Sequence, residues 1–173
     1  MSGVLSGIVV LDLTSGIGGP VATMLLADHG ARVVLAARRT DRLEALAGEI
    51  AVAGGSALAV AMDVTDPASI ATAMTVAENE FAPVDIVINN SGVAGDGPVL
   101  DCDAATWDRV FDTNLRGAFL VAREAAARMR DAGRTGSIVN IASIVGLRAG
   151  SGLAAYGASK AGLVHLTKSM ALE

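Results

Sequence analysis

Three polar side chains in the last part of the sequence could together move a proton to or from a carbonyl oxygen. Ser143 follows a β-branched run, and Tyr156 and Lys160 lie four residues apart in a segment of helical composition. Because residues four apart share one face of a helix, the Lys160 ammonium can lie beside the Tyr156 phenol and stabilise the phenolate. The spacing therefore predicts that Tyr156 is a general acid or base and that Ser143 holds a substrate carbonyl by a hydrogen bond.

Short β-branched runs alternate with longer segments rich in Ala and Leu, and these elements must position the three side chains. The alternation predicts βαβ units around a parallel sheet whose two faces are both covered. Asp66 and Pro67 mark one helix start, as an N-cap followed by proline. The predicted strands are 8–13, 32–36, 57–62, 85–89 and 137–141. The predicted helices lie near 20–29, 41–52, 67–80 and 104–132, and a last one runs from about Tyr156 to the C-terminus.

Composition and charge exclude several classes of function. The 173 residues contain no repeat or linker, so we expect a single domain. A net charge of −5 without a clustered basic face argues against nucleic acid as a partner. The apolar stretches are shorter than a membrane span and the N-terminus lacks a signal sequence, so we expect a cytoplasmic protein. Cys102 is the only cysteine and the two histidines are isolated, which predicts neither a disulfide nor a metal site.

From about Val33 onward the chain resembles the short-chain dehydrogenase/reductase family. The family's pattern is a serine followed thirteen positions later by Tyr-x-x-x-Lys, and Ser143, Tyr156 and Lys160 have that spacing. Asn114 matches the family's fourth catalytic position, which supports a proton relay through water. The resemblance implies a Rossmann-like, doubly wound parallel sheet and the interconversion of a carbonyl and a secondary alcohol by hydride transfer, as in 3-oxoacyl-(acyl carrier protein) reductases.

The resemblance also implies the residues that contact a nicotinamide dinucleotide. The Asn-Asn-Ser-Gly run at 89–92 is similar to the family's Asn-Asn-Ala-Gly motif, with serine as a departure. Asp63 and Val64 match the pair that contacts the adenine, and Lys160 matches a ligand of the ribose. The cofactor contacts implied in this half of the site are Asp63, Val64, Asn90, Gly92, Tyr156 and Lys160.

The end of the second predicted strand favours NADP over NAD. Relatives that prefer NAD usually carry aspartate at the position of Ala37, where a carboxylate takes the ribose hydroxyls. Arg38 follows directly, and a guanidinium matches the geometry of a 2′-phosphate. The alternative is that Arg38 and Arg39 merely solvate the start of a helix.

The turn after the first predicted strand departs from the family's Thr-Gly-x-x-x-Gly-x-Gly signature, which accommodates the phosphates. When the last two glycines of the signature are aligned with Gly16 and Gly18, Asp12 occupies the position of the first glycine. When the alignment is moved one residue toward the C-terminus, two of the three glycine positions hold other residues. A carboxylate about 4 Å from a phosphate would cost on the order of 4 kcal/mol, unless it faces away or caps the helix. The residues expected to contact the phosphates are Ser15, Gly16, Ile17 and Gly18.

Residues 1–32 resemble the opening of the family III CoA-transferases, which also begin with a Rossmann-like strand and helix. This resemblance implies a hybrid chain whose two parts join near residues 30–34, within a Gly-Ala-x-Val passage that both families use. A CoA-binding function fails because the transferases' aspartate nucleophile has no counterpart here.

The predicted elements amount to five strands, without the last two strands of the family, in an incomplete dinucleotide-binding domain. Two functions remain open at this point: an NADP-dependent oxidoreductase acting on a small carbonyl or alcohol, and a catalytically impaired Rossmann module. The family resemblance also implies a homodimer or homotetramer formed through helices 104–132 and 156–172, which are rich in small and aliphatic residues.

Overall fold

The computed structural model of the protein describes residues 3–14, 18–95 and 97–173. Five parallel strands form one sheet in the order β3-β2-β1-β4-β5. The strands are β1 (Val9–Asp12), β2 (Arg32–Ala37), β3 (Ser56–Ala61), β4 (Ile86–Asn89) and β5 (Ser137–Asn140). The predicted α/β fold class with a doubly wound, five-stranded sheet is therefore confirmed, and each predicted strand lies within two residues of the observed bounds.

Six α-helices connect and follow these strands. They are α1 (Gly18–Asp28), α2 (Thr40–Val52), α3 (Pro67–Glu80), α4 (Ala104–Phe111), α5 (Ala118–Asp131) and α6 (Ala154–Met170). The predicted N-cap is observed, because the Asp66 side chain accepts a hydrogen bond from the backbone N–H of Ala68 at 2.9 Å. The predicted helix 104–132 is interrupted: a π-helical turn at Asp112–Gly117 joins α4 to α5.

Alternate residues of the central strand pack on opposite faces of the sheet, as the pleat requires. Val9 and Leu11 belong to the core on the side of α3 and α5, whereas Val10 belongs to the core on the side of α1 and α2. Both faces of this central strand are covered, which explains why it is a continuous apolar run, whereas Val139 in the edge strand β5 is 45% exposed. No described helix has the length and apolar character needed to cross a bilayer.

The strand register brings the carboxyl ends of the central strands to one edge of the sheet. Asp12, the last residue of β1, is level with Leu35 of β2 and Ile88 of β4, and Asn89 of β4 is level with Asn140 of β5. The order of the strands reverses between β1 and β4, and in open α/β sheets ligands bind in the crevice at such a point. The fold therefore predicts a ligand site among the segments that follow β1, β2, β3 and β4.

Two glycines test the packing around this sheet. A Cβ on Gly136, just before β5, would lie 2.6 Å from both the Asp85 carbonyl oxygen and the Met129 sulfur, whereas a Cβ on Gly48 in α2 would have nothing within 4 Å. Gly136→Ala should lower the free energy of unfolding by about 1–3 kcal/mol through overpacking. Gly48→Ala should raise it by about 0.5–1 kcal/mol, because alanine is the better helix former. Urea denaturation measures both, and a destabilised Gly48→Ala or an unaffected Gly136→Ala would contradict the packing described here.

Candidate active site

A cavity of about 840 Å³ opens at the carboxyl edge of the sheet. Its walls come from the segments after β1, β2, β3 and β4 and from the first turns of α2, so it occupies the crevice that the strand order defines. The described lining residues include Thr14, Ala37, Arg38, Arg39, Arg42, Asp63, Val64, Ser91, Gly92 and Thr113. Its size is within the range of small-molecule and cofactor sites.

Helix α6 brings Tyr156 and Lys160 together, as the four-residue spacing predicts. The Lys160 Nζ lies 5.8 Å from the centre of the Tyr156 ring and donates a hydrogen bond to the Ile141 carbonyl oxygen at 2.6 Å. The lysine is only 4% exposed, and this burial lowers the pKa of its ammonium group. The arrangement places a buried cation beside a half-buried phenol at the carboxyl edge of the sheet.

Ser143 lies at the start of a short 3-10 turn between β5 and α6. Its Oγ accepts a hydrogen bond from the backbone N–H of Val145 at 3.4 Å, and its side chain is half-buried. The turn packs closely on α6, because a Cβ on Gly146 would lie 2.8 Å from the Lys160 backbone and one on Gly157 would lie 3.1 Å from the Val145 carbonyl oxygen. Two glycines therefore allow the serine turn to approach the helix that carries Tyr156 and Lys160.

Asn114 lies in the π-helical turn between α4 and α5 and is fully buried. Its Oδ1 accepts from the Val93 backbone N–H at 2.8 Å, and its Nδ2 donates to the Val93 carbonyl at 2.9 Å and to Ser159 Oγ at 3.1 Å. These bonds join the π-helical turn to the loop after β4 and to α6. Sequence reasoning missed this structural use of the side chain, and the part of Asn114 in a proton relay stays a prediction.

The Asn-Asn-Ser-Gly run after β4 crosses to the end of β1. Asn90 Nδ2 donates to Thr14 Oγ1 at 3.2 Å, and Ser91 Oγ donates to the Leu13 carbonyl at 3.1 Å. A Cβ on Gly92 would lie 3.4 Å from Asn114 Oδ1 and 3.8 Å from Lys160 Nζ. Glycine at this position therefore keeps the surface beside the lysine open.

Asp63, Val64 and the arginines lie around the other end of the cavity. Asp63 Oδ1 accepts from the Thr65 backbone N–H at 2.9 Å and from its hydroxyl at 2.8 Å, and these bonds, with a smaller contribution from Arg38, lower the pKa of the Asp63 carboxyl. Arg38, Arg39 and Arg42 are all exposed and line the cavity. A chain with net charge −5 thus places three cationic side chains around one opening.

The predicted phosphate-binding turn is described only in part. Gly18 begins α1, whereas Ser15, Gly16 and Ile17 lie outside the described residues. Asp12 is 2% exposed and accepts hydrogen bonds from the hydroxyls of Thr14 and Thr23, and burial raises the pKa of its carboxyl. Asp12 faces away from the cavity, which is one of the two arrangements considered above. Its carboxyl bonds to the second turn of α1 and is absent from the described cavity lining.

Comparisons with known proteins assign the family. A sequence profile described as short chain dehydrogenase matches residues 7–173, and the chain belongs to this family of oxidoreductases. It is 38% identical over 92% of its length to 2-(S)-hydroxypropyl-CoM dehydrogenase 3 of Xanthobacter autotrophicus, covering 62% of that protein. It is 33% identical over 95% of its length to a 3-oxoacyl-(acyl-carrier-protein) reductase of Staphylococcus aureus, covering 66% of it.

Solved structures agree with the family. A short-chain type dehydrogenase/reductase from Mycobacterium marinum superposes with a TM-score of 0.92 at 37% identity, over 97% of this chain and 67% of the other. The chain spans 61–66% of the length of five curated relatives that it matches.

The predicted CoA-transferase-like origin of residues 1–32 finds no support in these matches. The short-chain dehydrogenase match begins at residue 7 and so includes most of the first strand and helix, rather than starting near Val33. Both families open with a buried strand followed by a helix, and here the glycine signature that would distinguish them is altered.

The Asn114 bonds predict a large stability effect. Asn114→Ala leaves the Val93 backbone groups and Ser159 without this partner in a buried site, so the free energy of unfolding should fall by about 3 kcal/mol. Asn140→Ala is the control, because Asn140 is half-buried and both of its partners keep another hydrogen bond, Asn89 to the Ala118 carbonyl and Thr167 to the Leu163 carbonyl. Chemical denaturation that finds Asn114→Ala no more costly than Asn140→Ala would refute the structural role of this amide.

Proposed function

We propose that this chain is an NADP(H)-dependent oxidoreductase that interconverts a carbonyl and a secondary alcohol, in the manner of a 3-oxoacyl reductase. The observation that supports it most is the buried Lys160 ammonium, fixed by the Ile141 carbonyl beside the Tyr156 ring. Burying a lysine ammonium is costly unless the charge is hydrogen-bonded or paired. The phenol beside it is a group that such a charge can activate.

The cavity fits a dinucleotide in chemistry and in size. Among the lining residues, Arg38 would hold the 2′-phosphate and Asp63 and Val64 the adenine. Lys160 is not part of the described lining but lies beside Gly92, which is, and it would hold a ribose hydroxyl. The other residues proposed to contact the cofactor are Ser15, Gly16, Ile17, Gly18, Asn90, Gly92 and Tyr156. When bound, a nicotinamide dinucleotide supplies or accepts hydride.

The chain's own residues would perform the proton chemistry. In the direction of reduction, the Tyr156 hydroxyl would donate its proton to the carbonyl oxygen, and the Lys160 ammonium would stabilise the resulting phenolate. The Ser143 hydroxyl would hold the same carbonyl oxygen by a hydrogen bond, and Asn114 would support the return of the proton through water. Oxidation of the alcohol would use the same groups in reverse.

We infer a preference for NADP from the end of β2. Ala37 provides no carboxylate to take the ribose hydroxyls, whereas the next residue, Arg38, is exposed at the cavity. Arg39 and Arg42 add positive charge at the same opening, which suits a ligand with an additional phosphate.

We also propose a homodimer or homotetramer in which α4, α5 and α6 pair with their copies, the helices predicted as 104–132 and 156–172. Trp107 on α4, stacked on Phe111 at 4.4 Å between ring centres, is 41% exposed, and Phe119 on α5 is 39% exposed. Large aromatic side chains of this kind are enriched at protein interfaces.

Replacing the phenol tests the proposed chemistry. Tyr156→Phe should lower kcat for NADPH-dependent reduction of a 3-oxoacyl thioester by roughly 10²–10⁴, because it removes the proton donor. The dissociation constant for NADPH, measured by cofactor fluorescence, should change by less than roughly threefold, since the ring is retained. A variant as active as the parent chain would refute the role of Tyr156.

Replacing Arg38 tests the cofactor preference. The parent chain should bind NADPH more tightly than NADH, and Arg38→Ala should weaken NADPH binding by roughly 10- to 100-fold while leaving NADH binding nearly unchanged. Arg130→Ala is the matched control, because Arg130 is exposed and pairs with Asp131 on α5. Fluorescence and thermal shift report both affinities, and no response to millimolar NADPH or NADH would overturn the proposed function.

A further inference from the structure

Among the described residues, two carboxylates are buried at the ends of strands, and they have different partners. Asp85, just before β4, accepts from the Val9 backbone N–H at 2.9 Å and pairs with Arg134, so it joins the amino ends of β1 and β5. Asp12 lies at the opposite, carboxyl end of β1 and is 2% exposed. The Thr14 hydroxyl donates to one carboxylate oxygen and the Thr23 hydroxyl to the other, and the Thr14 backbone N–H also donates to this carboxylate.

These bonds connect three segments around the cavity. Thr23 belongs to the second turn of α1, Thr14 follows β1, and Thr14 in turn accepts from Asn90 in the loop after β4. Thr14 is itself part of the cavity wall. The carboxyl of Asp12 is therefore linked, by no more than two hydrogen bonds, to α1 and to the loop after β4.

The chemistry of the groups sets the direction of each bond. Both threonine hydroxyls donate to the carboxyl oxygens of Asp12. A threonine hydroxyl has one proton, and Thr14 uses it on Asp12, which leaves its oxygen to accept from the Asn90 amide. Asp12 thus fixes the orientation of a hydroxyl in the cavity wall and, through it, of a side chain in the loop after β4.

We propose that Asp12 is a positioning residue for cofactor binding, which holds α1, the end of β1 and the loop after β4 at a fixed spacing around the cavity. The proposal rests on the proposed function for the identity of the ligand. It also explains how an acidic residue is accommodated in place of the family's first glycine: the carboxyl bonds to Thr14 and Thr23 instead of lining the cavity.

Two variants break the connection from different sides. Asp12→Asn keeps the shape but removes one acceptor, and Thr23→Val removes a hydroxyl that lies in the helix and is absent from the described cavity wall. The matched controls are Asp85→Asn, which alters the other buried carboxylate, and Thr72→Val, whose hydroxyl bonds only to the Ala68 carbonyl of its own helix α3 among the described contacts.

The measurements are the dissociation constant for NADPH and the amide hydrogen exchange of residues 88–93. Asp12→Asn and Thr23→Val should each weaken NADPH binding roughly tenfold and speed exchange in that loop, whatever their thermal stability. The two controls should leave both quantities unchanged, even where Asp85→Asn lowers the melting temperature.

The outcomes separate this proposal from the proposed function. Unchanged affinity in the folded Thr23→Val variant, or equal losses in the controls, would overturn the positioning role of Asp12. If the parent chain binds neither NADPH nor NADH, the proposed function fails, and hydrogen exchange alone decides whether Asp12 orders the loop. If Asp12→Asn does not fold, Thr23→Val carries the same two measurements.

Discussion

Strand β1 is hydrogen-bonded on both sides, to β2 and to β4, and the remaining architecture depends on this pairing. A strand in the middle of a parallel sheet must be covered on both faces, so the connections after β1 and after β4 leave toward opposite faces. The crevice between those connections is a consequence of the pairing and needs no special sequence. What the sequence adds is the chemistry of the segments at its edge: hydroxyls after β1 and β4, arginines after β2, and an acidic turn after β3.

Lys160 and Asn114 are both buried, and specific hydrogen bonds offset the free energy lost by removing their polar groups from water. Burying Lys160 lowers the pKa of its ammonium group, and the Ile141 carbonyl offsets part of the desolvation by accepting a hydrogen bond from the ammonium at 2.6 Å. Burying Asn114 removes its amide from water, and all of the amide's hydrogen-bonding groups find protein partners. Lys160 joins α6 to the end of β5, and Asn114 joins the π-helical turn to the loop after β4 and to α6. The bonds that offset desolvation therefore also set the spacing of the site.

Local patterns in the sequence were enough to predict the fold and the Tyr156 and Lys160 pair. β-branched runs and the Asp66 cap are short-range signals, and two residues four apart meet on any helix. The bonds of Asn114 to Val93, 21 residues away, and of Asp12 to Thr23, on the next helix, depend on how separate elements pack, and no periodicity encodes them. The resemblance of the first strand and helix to the CoA-transferases was not a specific signal, because a buried strand followed by a helix is common to many families, and the short-chain dehydrogenase match includes most of both elements.

Three arginines line the cavity of a chain whose net charge is negative. The whole chain carries a net charge of −5, whereas an anion that approaches the opening meets Arg38, Arg39 and Arg42. Such a contrast focuses the electrostatic field on the crevice, which raises the rate of encounter with a phosphorylated ligand more than it raises the lifetime of the complex. Salt screens charges over about 8 Å at physiological ionic strength, so the rate of such an encounter depends on the salt concentration. The field at the arginines gives the crevice a faster encounter with anions than the rest of the surface has.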